Sequence, residues 1–258
     1  MLAIRLIFMG EYPAELHVKK FKKWDSQLFQ IKDIQKSLLD FDPDWDDWAY
    51  SDALLESNLP SFATSNNTIS RTSTEKIDIN IYVLNKPIQE NFYSRIISHN
   101  RVVVTYYQVV ELLKKNLIPL DNFLIYHIYL YALVYLIRKG REMTMEDEKY
   151  LLHKDCRGCL FDYSINRNEV IFKCKWLEIC GECKYKLITR GVPPTIIESL
   201  PAEFRQRTKP CYEKIILFLK KHPVISFGLS FIAAILTSVL ANCIYECFIQ
   251  SIRICCNK

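Results

Sequence analysis

Two Cys-x-x-Cys turns constrain this chain more than any other feature: "CRGC" from Cys156 to Cys159, and "CGEC" from Cys180 to Cys183, with twenty residues between them. Each turn presents two thiolates to one side, and two such turns at this separation have the spacing of a four-ligand zinc site. Four soft ligands close a tetrahedral shell around Zn²⁺ and leave no open position for a substrate, so the expected ion is structural. Its ligands are not assembled in the unfolded chain, so binding contributes folding free energy. Gly158 and Gly181 are expected to relieve the backbone inside the turns. The candidate ligands are Cys156, Cys159, Cys180, Cys183 and His153, with His153 able to stand in for Cys156 and Cys174 as a further substitute. A thioredoxin-like redox pair would need one turn ahead of a helix in a βαβ setting, which the pattern around these cysteines does not supply.

The rest of the chain narrows the function classes. With 258 residues, 50% of them hydrophobic, the chain can bury a substantial core. A formal charge of +5 is too mild to predict a nucleic-acid partner without a focused basic patch. Only 6 glycines occur, and there is no dinucleotide fingerprint, no Walker loop and no G-x-S-x-G elbow. The start, "MLAIRLIFMGEYP", is interrupted by Arg5 and lacks a small-residue cleavage site, so it reads as a first strand in the cytosol. Cysteines in that reducing compartment point to metal binding or free thiols.

From Pro223 to Tyr245 the sequence "PVISFGLSFIAAILTSVLANCIY" runs 23 residues with no acidic or basic side chain. At about 1.5 Å per residue a helix of this length crosses the roughly 30 Å hydrocarbon core of a bilayer. Arg205, Arg207, Lys209, Lys214, Lys220 and Lys221 precede it, whereas only Arg253 and Lys258 follow. The positive-inside rule therefore places the N-terminal portion in the cytoplasm of a single-pass membrane protein. Ser226, Ser230, Ala234, Ser238 and Asn242 recur every four residues, a stripe along which copies of the helix can approach closely. The expected partners are the lipid bilayer, a second copy of this chain and a protein that the sequence does not identify.

Within the soluble part, "IDINIYVLN" and "RVVVTYYQVV" are rich in β-branched and aromatic residues and read as core strands. "KPIQENFYSRIISHN" reads as the connection between them, and "VVELLKKN" as a short helix. The segment from Asn122 to Ile137 is apolar on nearly all sides, too short for a comfortable membrane crossing, and carries four tyrosines and His127. A central buried helix is expected, stopped at Arg138, Lys139 and Gly140. Asp40, Asp42 and Asp44 alternate like the start of a calcium loop, but Trp45 and Ser51 occupy the positions needing Gly and Glu, so a solvated acidic loop is expected. Glu146, Glu148 and Asp155 read as a solvated charged turn.

The order of these pieces resembles the archaemetzincin family of zinc metallopeptidases. In "HKDCRGCLF", His153, Cys159 and Phe161 fall at the spacing of that family's last catalytic histidine, a structural-zinc cysteine and a methionine, and Cys180 and Cys183 follow almost on schedule. "INIYVLNKPIQENFYSRIISHNRVVVTYYQV" is similar to the family's strand, irregular edge segment and following strand. The resemblance covers about residues 77 to 190 and implies a zinc-stapled mixed sheet with a central helix. Its catalytic half does not carry over. Without a gap, Met143, Thr144 and Asp147 stand where the H-E-x-x-H helix needs His, Glu and His; with an insertion, His127, Ile128 and Tyr131 do. Nothing there assembles an activated zinc water.

The sequence therefore predicts an α+β protein: an N-terminal segment over 1–60, a polar linker over 61–76, and a metzincin-like core with its zinc module over 77–200. A basic juxtamembrane segment (201–222), a transmembrane helix (223–245) and a short tail (246–258) complete it. The expected function is a catalytically inert, membrane-anchored binding or sensing module. The alternatives are a membrane-perturbing effector whose helix oligomerises under control of the soluble domain, and a zinc metallopeptidase with non-standard ligands.

Overall fold

A computed structural model of the chain describes residues 1–24, 26–44, 48–60, 76–154, 158–163, 167–208 and 223–256. Two compact units make up the chain, Met1–Thr208 and Lys209–Lys258. Most of the polar linker (61–75), Asp155, Cys156 and the basic segment 209–222 lie outside the described residues.

The first unit is built on a five-stranded mixed sheet: β1 (Leu2–Met9), β2 (Phe29–Ser37), β3 (Ile79–Leu84), β4 (Ser94–Ser98) and β5 (Arg101–Thr105), in the order β2-β1-β3-β5-β4. β1, β2, β3 and β5 are mutually parallel, and β4 lies antiparallel to β5 at one edge. The N-terminal segment is thus integral to the sheet, with β1 paired between β2 and the middle strand β3. The central strands are apolar throughout because both sheet faces are covered. Ile4, Leu6, Phe8, Ile81, Val83, Val102 and Val104 point to one core, and Ile7, Met9, Tyr82, Leu84 and Val103 to the other.

The connection expected between the two core strands contains β4. It joins β5 through a tight turn in which His99 (φ 46°) and Asn100 (φ 59°) both adopt the left-handed conformation. Hairpin turns favour this geometry, usually with glycine; here asparagine and histidine accept it. Asn100 Oδ1 then accepts the Met143 N–H at 2.7 Å, tying the hairpin to the segment beyond the central helix.

Helices α1 (Val18–Lys22), α2 (Asp52–Asn58), α3 (Val109–Lys115), α4 (Leu120–Ile137), α5 (Met145–Leu151), α6 (Val170–Lys175), α7 (Gly181–Thr189) and α8 (Pro194–Thr208) complete the unit. Asp44 belongs less to a free acidic loop than to the start of α2, accepting the Ser51 N–H at 2.9 Å. α8 buries Ile197, Leu200 and Phe204, so the compact unit extends to Thr208.

α4 is the central helix that the sequence predicts, and every residue in it except Leu136 is buried. A helix that is apolar all round must be enclosed, and its polar atoms then need partners. Tyr126 donates to the Leu160 carbonyl (2.6 Å), Tyr129 to Glu203, Tyr131 to Ser94 Oγ (2.7 Å) and Tyr135 to Asp78 Oδ1 (3.2 Å). Asn122 Nδ2 reaches the Cys174 carbonyl at 3.0 Å. Gly140, at φ +82°, follows the last turn in the left-handed conformation that ends many helices.

The second unit contains α9 (Pro223–Cys256), which runs past the segment expected to span. Its described side chains from Ser230 to Tyr245 are exposed, with Phe231 at 65% and Leu240 at 61%. Thr237 Oγ1 donates back to the Ala233 carbonyl at 2.8 Å, so this polar group is satisfied within the helix.

Candidate metal centre

His153, Cys159, Cys180 and Cys183 converge so that their ligand atoms all lie within 4.8 Å of one another. A tetrahedral ion with metal–sulfur bonds of about 2.3 Å requires sulfurs roughly 3.8 Å apart, so this spacing suits a single ion at the centre. Among the described residues no other group of three or more His, Cys, Asp or Glu side chains is gathered in this way. Cys156 lies outside the described residues; among the described ones His153 joins the three cysteines. Cys174 is fully buried on α6, outside the cluster, and burial pushes its thiol up.

Local backbone geometry explains why these four meet. His153 and Asp162 form an isolated bridge, with His153 N–H donating to the Phe161 carbonyl (3.1 Å) and Tyr163 N–H donating to the His153 carbonyl (2.8 Å). Cys159 pairs with Glu178, where Leu160 N–H donates to the Glu178 carbonyl at 2.7 Å, drawing the two cysteine turns together. Gly158 sits at φ +93°, a conformation that strains any side chain, so one of the two expected glycine roles holds. Gly181 has no such φ; it begins α7, capped by Cys180, so it is not needed for backbone relief.

The sulfurs are placed as acceptors. Cys180 N–H approaches Cys159 Sγ at 3.4 Å, and Cys183 N–H approaches Cys180 Sγ at 3.5 Å. A hydrogen bond from Cys183 pulls the Cys159 thiol down to about 5, while the same proton, held between two sulfurs, pushes Cys183 up. Crowded sulfurs cannot all ionise without a cation, and a soft divalent ion removes that conflict.

His153 is oriented from behind. Its Nε2 is 3.4 Å from Cys180 Sγ and its Nδ1 is 3.5 Å from Asp162 Oδ1. A carboxylate facing the far nitrogen of a ligating imidazole sets its tautomer and strengthens it as a donor. Asp162 also accepts the Cys159 N–H at 3.0 Å, so one side chain braces two ligands. Sequence reasoning missed Asp162. Its position nine residues after His153 is unremarkable until the bridge brings it back.

The residues where the family pattern needs catalytic ligands are placed otherwise. His127 is buried and outside the cluster; its Nδ1 donates to the Phe123 carbonyl at 2.8 Å, and its ring packs edge-on against Phe123 and Tyr126. Burial lowers it to about 3, so it is neutral. The expected charged turn is helix α5, where Asp147 accepts the Thr144 N–H at 2.8 Å and Glu146 pairs with Lys149 at 3.0 Å. Glu148 is not solvated as expected: it is half-buried, and desolvation pushes its carboxyl up to about 7.

Compared with protein-family models, with curated proteins and with solved structures, the chain matches none of them.

Proposed function

We propose that this protein is a membrane-anchored binding module whose cytoplasmic domain is stapled by one structural Zn²⁺ and has a metzincin-like but catalytically inert core. The observation that carries the reading is the donor set itself. His153, the family's last catalytic ligand by spacing, lies with three cysteines, and a shell of three sulfurs and one nitrogen has no vacancy for substrate. His127 is the remaining histidine at a matching position, and it is committed to a carbonyl, with no second imidazole gathered beside it among the described residues. Further support for the metzincin-like part comes from β4, which follows β3 in the chain and forms the antiparallel edge outside β5, and from the central helix packed in the core.

The anchor reading rests on α9. Its length exceeds a bilayer crossing, and from Ser230 to Tyr245 its apolar side chains face outward. The basic residues ahead of Pro223 favour a cytoplasmic domain. Ser230, Ala234, Ser238 and Asn242 are exposed along one stripe of this helix, a surface suited to close packing with a second copy.

The test is metal content of the full chain recovered from membranes. One zinc per chain, retained in His127→Ala, is expected, together with a protein that resists carbonate extraction. A second zinc that disappears in His127→Ala would mean a catalytic centre, and release by carbonate would remove the anchor.

A further inference from the structure

A cleft with a cavity volume of about 190 Å³ opens between β4, α4, α5 and the Asp162–Tyr163 turn, and neither the metal nor the anchor uses it. Its walls are aromatic, including Phe92, Tyr93, Tyr126 and Tyr163. The polar groups among them fix what such a cleft can hold.

Three cations line it, and each is already engaged. Lys149 pairs with Glu146 at 3.0 Å and Arg95 with Asp52 at 3.1 Å, while Lys173 Nζ donates to the Asp162 carbonyl and has the Asp162 carboxylate set against its charge. The Asp162 carboxylate is turned to His153 and the Cys159 N–H. Glu148 is the lining acid left over: no close ion pair engages it among the described residues, although the charge of Arg95, itself paired with Asp52, favours its ionised form. Its hydrogen-bond partner is Tyr131, whose Oη is 3.3 Å from Glu148 Oε1 and 2.7 Å from Ser94 Oγ. A single phenol proton shared with a serine does not neutralise a carboxylate. His127 also lines the cleft, and with its Nδ1 proton given to Phe123 its Nε2 is an acceptor. With Lys149, Arg95 and Lys173 each set against a carboxylate, Glu148 leaves one negative charge in excess, and His127 Nε2 adds a neutral acceptor. An ammonium, with three donors and a positive charge, complements that excess, whereas a further carboxylate would add to it.

We propose that this cleft binds a small organic amine, its ammonium paired with Glu148 and its apolar body lying among the aromatic walls. Cationic ligands seated against tyrosine and phenylalanine faces gain further from the rings. Desolvation holds the Glu148 carboxyl at about 7, so at pH 8 it is mostly ionised and ready to pair. The inference rests on the reading of this domain as a binding module and names what it binds.

The experiment uses zinc-loaded full-length protein in lipid nanodiscs at pH 8, with empty nanodiscs as the blank. Binding of 4-fluorobenzylamine, 4-fluorobenzyl alcohol and 4-fluorobenzoate is followed by fluorine NMR. Saturable binding of the amine is expected, at least tenfold tighter than the alcohol, with none for the benzoate. Glu148→Gln, which keeps a hydrogen-bonding group facing Tyr131, should weaken the amine at least tenfold, whereas Glu146→Gln should leave it unchanged. Equal binding of amine and alcohol, a comparison that needs no variant, would overturn the proposal, as would undiminished amine binding in a folded Glu148→Gln protein. Absence of amine binding leaves the zinc-stapled anchor standing; peptide hydrolysis by the same sample would instead sink the inert reading and leave the amine result intact.

Discussion

α4 and α9 are both apolar around their whole circumference, yet one is enclosed by protein and the other presents its apolar side chains outward. The difference lies in their polar groups. α4 carries four tyrosines and Asn122, and the directional bonds they form reach the edge strand, α6, α8, the segment leading into β3 and the metal loop. Between Ser230 and Tyr245, α9 has chiefly small hydroxyls, and Thr237 turns back onto its own helix. A core helix can use polar handles because its neighbours are fixed; a helix in lipid, as proposed for α9, must satisfy its polar groups internally or against another helix. Hydrophobicity alone does not separate the two, whereas hydrogen-bond chemistry does.

The largest effect should come from truncating a fully buried ring. Phe123→Ala in α4 is expected to cost about 3–5 kcal/mol, read as a lower denaturant midpoint of the zinc-loaded domain. The matching Phe231→Ala in α9 should leave that midpoint unchanged, and equal losses would break the comparison. A charge probes the other side: Leu236→Lys should cost about 2.5–3.5 kcal/mol of insertion and lower the carbonate-resistant fraction, with the domain's melting unaltered. Tyr126→Phe removes the donor to Leu160 and should cost about 1–3 kcal/mol, against no change for Tyr245→Phe, whose side chain is exposed.

The smallest effect is the acid sensitivity contributed by His127 in α4, set against the opposite contribution of Glu148, whose raised carboxyl takes up its proton in the folded state. His127 titrates near 6.5 when unfolded and about 3 when folded, so between these values the unfolded chain takes up the extra proton. Stability should therefore fall as pH drops through this window, by about 1 kcal/mol between pH 6.5 and 5.5 from this residue. His127→Gln should lose that increment of the pH slope; identical slopes in the two proteins would place His127 in water.

The strands at the sheet centre and the buried helix were legible because both depend on unbroken apolar runs, which local sequence displays. The cysteine turns were legible from spacing, and the candidate ligands His153, Cys159, Cys180 and Cys183, all among the described residues, come together. β4 was hidden because its hairpin turn uses His99 and Asn100 with no glycine to mark it. Asp162 depends on a bridge between segments, and Glu148 on which way one helix of clustered acids faces. Those orientations are set by tertiary packing, to which composition and spacing are blind.

The central claim is a closed shell of three sulfurs and one imidazole nitrogen. Zinc-edge X-ray absorption of the full-length protein tests it most directly. The expected spectrum has three sulfurs at about 2.3 Å and one nitrogen at about 2.0 Å, with no solvent oxygen. A shell of four sulfurs would remove His153 from the site, and a water-bearing shell would contradict the account of a saturated, structural ion.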